Sequence, residues 1–174
     1  MPVPVRITPP PLAASDKLRA VVLRFFNAYG PGEYYTPYRS VVCLFAYRML
    51  FGLPITVYRD YHRVFMWVGD WARTVANVCE RFDALPRGKG KWLGSRPANV
   101  PVYNIGGEEY SSVEALYEKL HDLIPDCRSD VTFLAKEAAN VTNKRPDNSL
   151  AVADLGHDPC VTLDHGLPVT VEWL

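Results

Sequence analysis

The side chains in this sequence that could meet a ligand sit at breaks between regular segments. Val21-Val22-Leu23 is an apolar, β-branched run that reads as a buried parallel strand, and Asn27 stands just past its carboxyl end. Gly30-Pro31-Gly32 then stops regular structure. In open α/β sheets ligands lie beyond the carboxyl ends of strands, so the Asn27 amide is placed to meet one; an asparagine that only forms the turn is the competing reading. Arg63 offers a planar fork that pairs with phosphate oxygens, although an arginine taken alone is more often a solvated surface group. His157, Cys160 and His165 are spaced H-x-x-C-x-x-x-x-H, which lacks the fourth ligand of a tetrahedral zinc site, and no metal is expected. Gly88 to Gly94 reads G-x-G-x-x-x-G, but no apolar strand feeds it and no helix follows. It is expected to be a surface insertion and not a cofactor loop.

The elements that must position these groups follow from periodicity. Ser40 to Gly52 has apolar residues at helical spacing and a glycine stop, and Ile55 to Tyr58 alternates as a short strand. Asp70 is placed to cap a helix running from Trp71 to Phe82. Val102 to Ile105 is strand-like and ends in Gly106-Gly107. Ser111 and Glu114 are spaced as a capping box for a helix reaching Pro125, and Val131 to Leu134 is a further strand.

Composition bounds the function class. The 174 residues suffice for one ordinary domain, and 48% hydrophobic with 22% charged residues is a globular balance. Lys plus Arg and Asp plus Glu are both 19, which points away from nucleic acid and anionic membranes. No run is long enough to span a bilayer. Cys43 and Cys79 lie in apolar helical patterns and read as buried, reduced thiols of a cytoplasmic protein. Residues 1–14, with five prolines, read as a mobile leader rather than a signal peptide.

Taken in order, LRFFNAYGPGE (23–33), HRVFMWVGD (62–70), VYNIGGEEYSS (102–112) and DLGHDP (154–159) resemble segments of the extended short-chain dehydrogenase/reductases that act on nucleotide sugars, the NAD-dependent epimerases, dehydratases and decarboxylases. The resemblance spans about residues 18 to 174. It implies an α/β fold: part of a Rossmann-like parallel sheet plus the small α/β substrate-binding subdomain of that family, over residues 15–174. It further implies that Asn27 and Arg63 contact the diphosphate of a nucleotide sugar, with Arg145 and Asp147 as further substrate contacts. Val64 departs from the family's usual Asp. The family's closing pattern implies a small helix, a strand and a last helix in the tail.

NAD is the cofactor of the family, yet this chain is not expected to bind it alone. It holds no strand–glycine-rich turn–helix unit, and no tyrosine has a lysine four residues on; Tyr35 with Arg39 comes nearest. The chain therefore reads as the carboxyl-terminal, substrate-binding portion of such an enzyme, without catalytic or cofactor residues of its own. Three alternatives stand beside one another: a truncated or split enzyme, a non-catalytic module that associates with a separate cofactor-binding chain, and an inactive remnant. An exposed sheet edge, open to that partner or to a second copy, is expected in each.

Overall fold

The computed structural model describes residues 20–85, 100–135 and 141–174. They form, in order, β1 (Val22–Phe25), β2 (Ala28–Tyr29), α1 (Val41–Leu50), β3 (Ile55–Tyr58), β4 (His62–Val64), β5 (Met66–Trp67) and α2 (Val68–Arg81). Beyond a 3-10 turn at Phe82–Ala84 come β6 (Val102–Ile105), β7 (Tyr110–Ser112), α3 (Val113–Leu123), β8 (Val131–Leu134), β9 (Asn143–Lys144), α4 (Ser149–Leu155) and α5 (Leu163–Trp173). The proline-rich leader and the 88–94 glycine segment lie outside the described residues. No described helix is long and apolar enough to cross a membrane.

The strands at Val22 and Val102 share one sheet, as their apolar runs imply. β1 and β6 pair in parallel, with Val22 opposite Val102 and Phe25 opposite Ile105. β2 pairs in parallel with β5, β3 in parallel with β8, and β4 lies between antiparallel β7 and parallel β9. The fold is thus a mixed α/β arrangement of short, mainly parallel ladders. The N–H groups of Val22 and Phe26 donate to Pro101 O and Ile105 O, so this phase of β1 faces β6. The backbone of Leu23 and Phe25 faces the other edge, which no described strand covers.

Two apolar clusters hold the layers together. α1 buries Val42, Phe45, Ala46 and Met49 against Leu116 and Leu120 of α3 and Leu163 and Leu167 of α5. β6 buries Tyr103 and Ile105 against Val78 of α2 and Ala151 and Leu155 of α4. α1 stops where expected: Gly52 takes φ +64°, and the Leu53 N–H reaches Arg48 O at 2.8 Å.

Four local expectations are corrected. Asp70 does not cap α2, which begins at Val68; its buried carboxylate accepts the N–H groups of Cys160 and Val161, both at 3.0 Å. Those two donors are thereby removed from any ladder, and no strand forms between α4 and α5. The α3 cap is Ser112, not Ser111, with its Oγ accepting from the Ala115 N–H. Glu114 does not close a capping box but accepts from the Asp60 N–H. Cys43 is buried, whereas Cys79 is exposed on the solvent face of α2.

One close approach fixes how β6 meets β4 and β5. A Cβ built on Gly107 would lie within van der Waals overlap of the Phe65 carbonyl oxygen, a backbone atom with no rotamer to yield. Gly107→Ala should therefore cost about 3 kcal/mol or more in urea denaturation. Gly32→Ala, at φ +98° with nothing near its Cβ, should cost only about 1–2 kcal/mol of backbone strain. Equal losses in the two variants would refute the close approach.

Tyr103 makes a second test. Burial, and then its bond to the Asp154 carboxylate at 3.0 Å, push its pKa up to about 12. The folded value lies above the ordinary value near 10, so this stabilisation is complete below about pH 10 and lost as pH rises through about 12. Tyr103→Phe should flatten the alkaline fall in urea midpoint; an unchanged slope would refute the assignment.

Candidate functional site

A cleft of about 360 Å³ opens between the first turns of α1 and the strand wall of β3, β4 and β9, and Asn27 is among its lining residues. Asn27 sits at φ +42°, a left-handed conformation that asparagine tolerates. Its Nδ2 donates to Val64 O at 2.9 Å, and its carbonyl accepts the Met66 N–H at 3.2 Å. The turn and ligand readings of this residue are therefore compatible: its backbone and Nδ2 make the turn, and the residue still lines the cleft.

Arg63 is held more tightly. It is only 8% exposed. Its Nη1 donates to His62 O at 2.8 Å and Thr142 O at 2.7 Å, and its Nη2 to Val141 O at 2.9 Å. The guanidinium carbon lies 5.1 Å from the centre of the Tyr61 ring. Burial lowers its pKa from the ordinary arginine value, and the nearby Tyr61 and Tyr110 oppose that shift. Of the five guanidinium N–H groups these contacts engage three. The Nε–H and one Nη2–H make no hydrogen bond to a described residue. A solvated surface arginine, the ordinary expectation, is not what β4 carries.

Strand alternation sorts the other cations. Lys144 is the register partner of Arg63, and Asn143 that of His62. Lys144 therefore shares the Arg63 face and lines the cleft. Tyr110 is the register partner of Val64, stacks near His62 at 5.5 Å and donates to Asn143 Oδ1 at 3.1 Å, all on the opposite face. Arg145 lies over that Tyr110 ring at 5.6 Å. The structure thus brings Asn27 and Arg63 together in one cleft and leaves Arg145 on the other side of the β7–β4–β9 sheet. Asp147 is not on the lining either; its Oδ1 accepts the Ser149 N–H at 2.9 Å, and its carbonyl accepts from Asn104 Nδ2 at 3.0 Å. Lys144 was missed because β9 is only two residues long and exposed, so nothing apolar marks it as a strand.

His157 is a strut. Both ring nitrogens of this buried residue meet protein: Nε2 the Gly106 carbonyl at 2.9 Å, Nδ1 the Thr74 hydroxyl at 2.8 Å. Beyond β6, Gly106 faces the Pro146 ring and Gly107 the Phe65 carbonyl.

A model of the NAD dependent epimerase/dehydratase family matches residues 11–106. UDP-N-acetyl-α-D-glucosaminuronate decarboxylase of Bacillus cytotoxicus is 26% identical over 169 residues, covering 92% of this chain and 47% of that protein. dTDP-glucose 4,6-dehydratase of an Actinoplanes species is 30% identical over 153 residues, covering 88% and 43%. The crystal structure of Thermotoga maritima UDP-glucose 4-epimerase with UDP-glucose superposes with a TM-score of 0.71 at 28% identity, covering 90% of this chain and 46% of that one. The chain spans less than half the length of each of these proteins.

Arg63 also ties the segment before β9 to β4, and this predicts a split between the two arginines. Arg63→Met should lower stability by about 1–3 kcal/mol, since it removes charge-assisted bonds to the carbonyls of Val141 and Thr142. Arg145→Ala should lose no more than about 0.5–1 kcal/mol, the worth of an exposed cation–π contact. Chemical denaturation of the two variants decides; equal losses would overturn the assignment.

Proposed function

The chain belongs to the NAD-dependent epimerase/dehydratase family, and on that premise we propose that its cleft binds a nucleotide-diphosphate sugar, as the substrate-binding portion of such an enzyme. The observation that carries this reading is the placement of Arg63. A buried guanidinium, fixed by three backbone carbonyls, lines one cleft with Asn27 and Lys144 and keeps two N–H donors beyond those bonds. Donors held in place before the ligand arrives lose little entropy on binding, and a planar fork matches phosphate oxygens. Arg63 and Lys144, opposite each other on β4 and β9, match the two charges of a diphosphate diester. Arg145 and Asp147 are assigned to the β9–α4 connection on the other face, and not to this diphosphate contact.

Hydride chemistry is not assigned to the residues of this cleft, since the sequence contains no Tyr-x-x-x-Lys pair. A second reading has its own support in the open edge of β1: the chain is a binding module that associates, through that edge, with a separate cofactor-bearing chain. Light scattering separates the two. A monomer at high concentration counts against an obligate partner.

Calorimetric titration with UDP-glucose and dTDP-glucose tests the binding proposal. Lys144→Ala should weaken binding about tenfold, and Arg63→Lys should weaken it more than threefold, because an ammonium cannot present the two donors. Wild-type affinity in both variants would refute it.

A further inference from the structure

Arg63 is held by two kinds of partner, and the two differ in firmness. The first kind includes the carbonyls of Val141 and Thr142. Val141 is 43% exposed, and its segment joins β4 only through the two residue pairs of the β4–β9 ladder. The second kind is the Tyr61 ring, with the guanidinium carbon over it at 5.1 Å. Tyr61 is buried in the main apolar cluster, and its carbonyl accepts the Val113 N–H at 2.8 Å. The N–H of Asp60, a residue at φ +64°, donates to the Glu114 carboxylate at 3.1 Å. The turn between β3 and β4 is thus tied twice to the first turn of α3, and the ring is fixed with it. Tyr61 and Arg63 stand two residues apart, the spacing of one face of an extended chain, and both line the cleft.

The ring and the carbonyls act on different parts of the guanidinium. Hydrogen bonds are made in its plane, whereas a ring attracts it through the flat face. Tyr61 therefore orients the cation without using an N–H and without cancelling its charge. A carboxylate in the place of the ring would take two N–H groups and the charge together. We propose that Tyr61 is the positioning residue of the phosphate contact: its π face sets the plane in which the Arg63 guanidinium meets the diphosphate. This rests on the reading of the cleft as a nucleotide-sugar site and adds the residue that makes its arginine effective.

The test replaces residue 61 of the full chain by phenylalanine and by its trifluoro and pentafluoro analogues, and titrates each variant calorimetrically with UDP-glucose. Fluorine withdraws negative charge from the ring face and leaves the shape of the ring nearly unchanged, so the packing of the core is kept. Relative to Tyr61→Phe, affinity should fall stepwise with fluorination, by about threefold to tenfold at the pentafluoro ring, the worth of a desolvated cation–π contact. Tyr61→Leu, which is apolar but has no π face, should bind no more tightly than the pentafluoro variant. Unchanged circular dichroism will show that the variants fold, and a merely structural role for the ring predicts no dependence on fluorination. An affinity that is flat across the series overturns the assignment of Tyr61 and leaves the nucleotide-sugar reading standing. Failure of the wild type to bind UDP-glucose overturns both.

Discussion

The structure depends on one backbone crossing. The end of β1, the β4–β5 segment and the glycine pair after β6 meet at main-chain distance. Asn27 accepts the Met66 N–H and donates from Nδ2 to Val64 O, while the Phe65 N–H reaches Glu109 O. Gly107 lies against the Phe65 carbonyl with no space for a Cβ. Three stretches about forty residues apart in sequence are locked together there, chiefly by main-chain groups, which have no rotamer to change. The left-handed turn at Asn27 and the missing side chain at Gly107 are both conditions of that lock. The cleft follows from it: Asn27 is delivered beside Arg63 because β1 ends where β4 passes.

The second constraint is electrostatic. A guanidinium at 8% exposure costs free energy unless its hydrogens are engaged, and β4 solves this with neighbouring carbonyls instead of a carboxylate. The carbonyls of Val141 and Thr142 carry no net charge, so Arg63 remains a cation with an unneutralised field directed into the cleft. The family's usual acidic residue after this arginine is replaced by Val64, whose side chain packs beside Gly106. The arginine that would have been oriented by an acid is oriented by main chain. Burial lowers its pKa, yet an arginine so held stays charged at any physiological pH.

What could be read from sequence follows physical range. β1, β6, α1 and α3 were legible because their apolar patterns are local, and the position of Asn27 just past β1 was legible because it follows such a pattern. Asp70 was misread for the opposite reason. Its partners are the N–H groups of Cys160 and Val161, ninety residues away, and a carboxylate at a helix start looks locally like a cap. The same holds for Glu114, which fits a capping box by spacing but bonds Asp60 from another loop. His157 has the residue type of a metal ligand, and only the three-dimensional structure shows that Thr74 and Gly106 occupy both of its nitrogens. The opposite faces taken by Arg63 and Arg145 could not be seen without the register of β4, β7 and β9.

The open edge of β1 and the cleft are mechanically separate. The walls of the cleft are α1, β3, β4 and β9, packed through the cluster of Phe45, Leu116, Leu120 and Leu163. The open edge belongs to the β1–β6 pair, packed through Tyr103, Ile105 and Leu155. Asn27 joins the two, and its position is set by bonds to Val64 and Met66 on the cleft side. Covering the edge of β1 with another strand would therefore satisfy Leu23 and Phe25 without moving a cleft residue. The residues that line the cleft and those that border the edge of β1 thus belong to different apolar clusters. In this geometry, a change at the edge of β1 need not disturb the cleft.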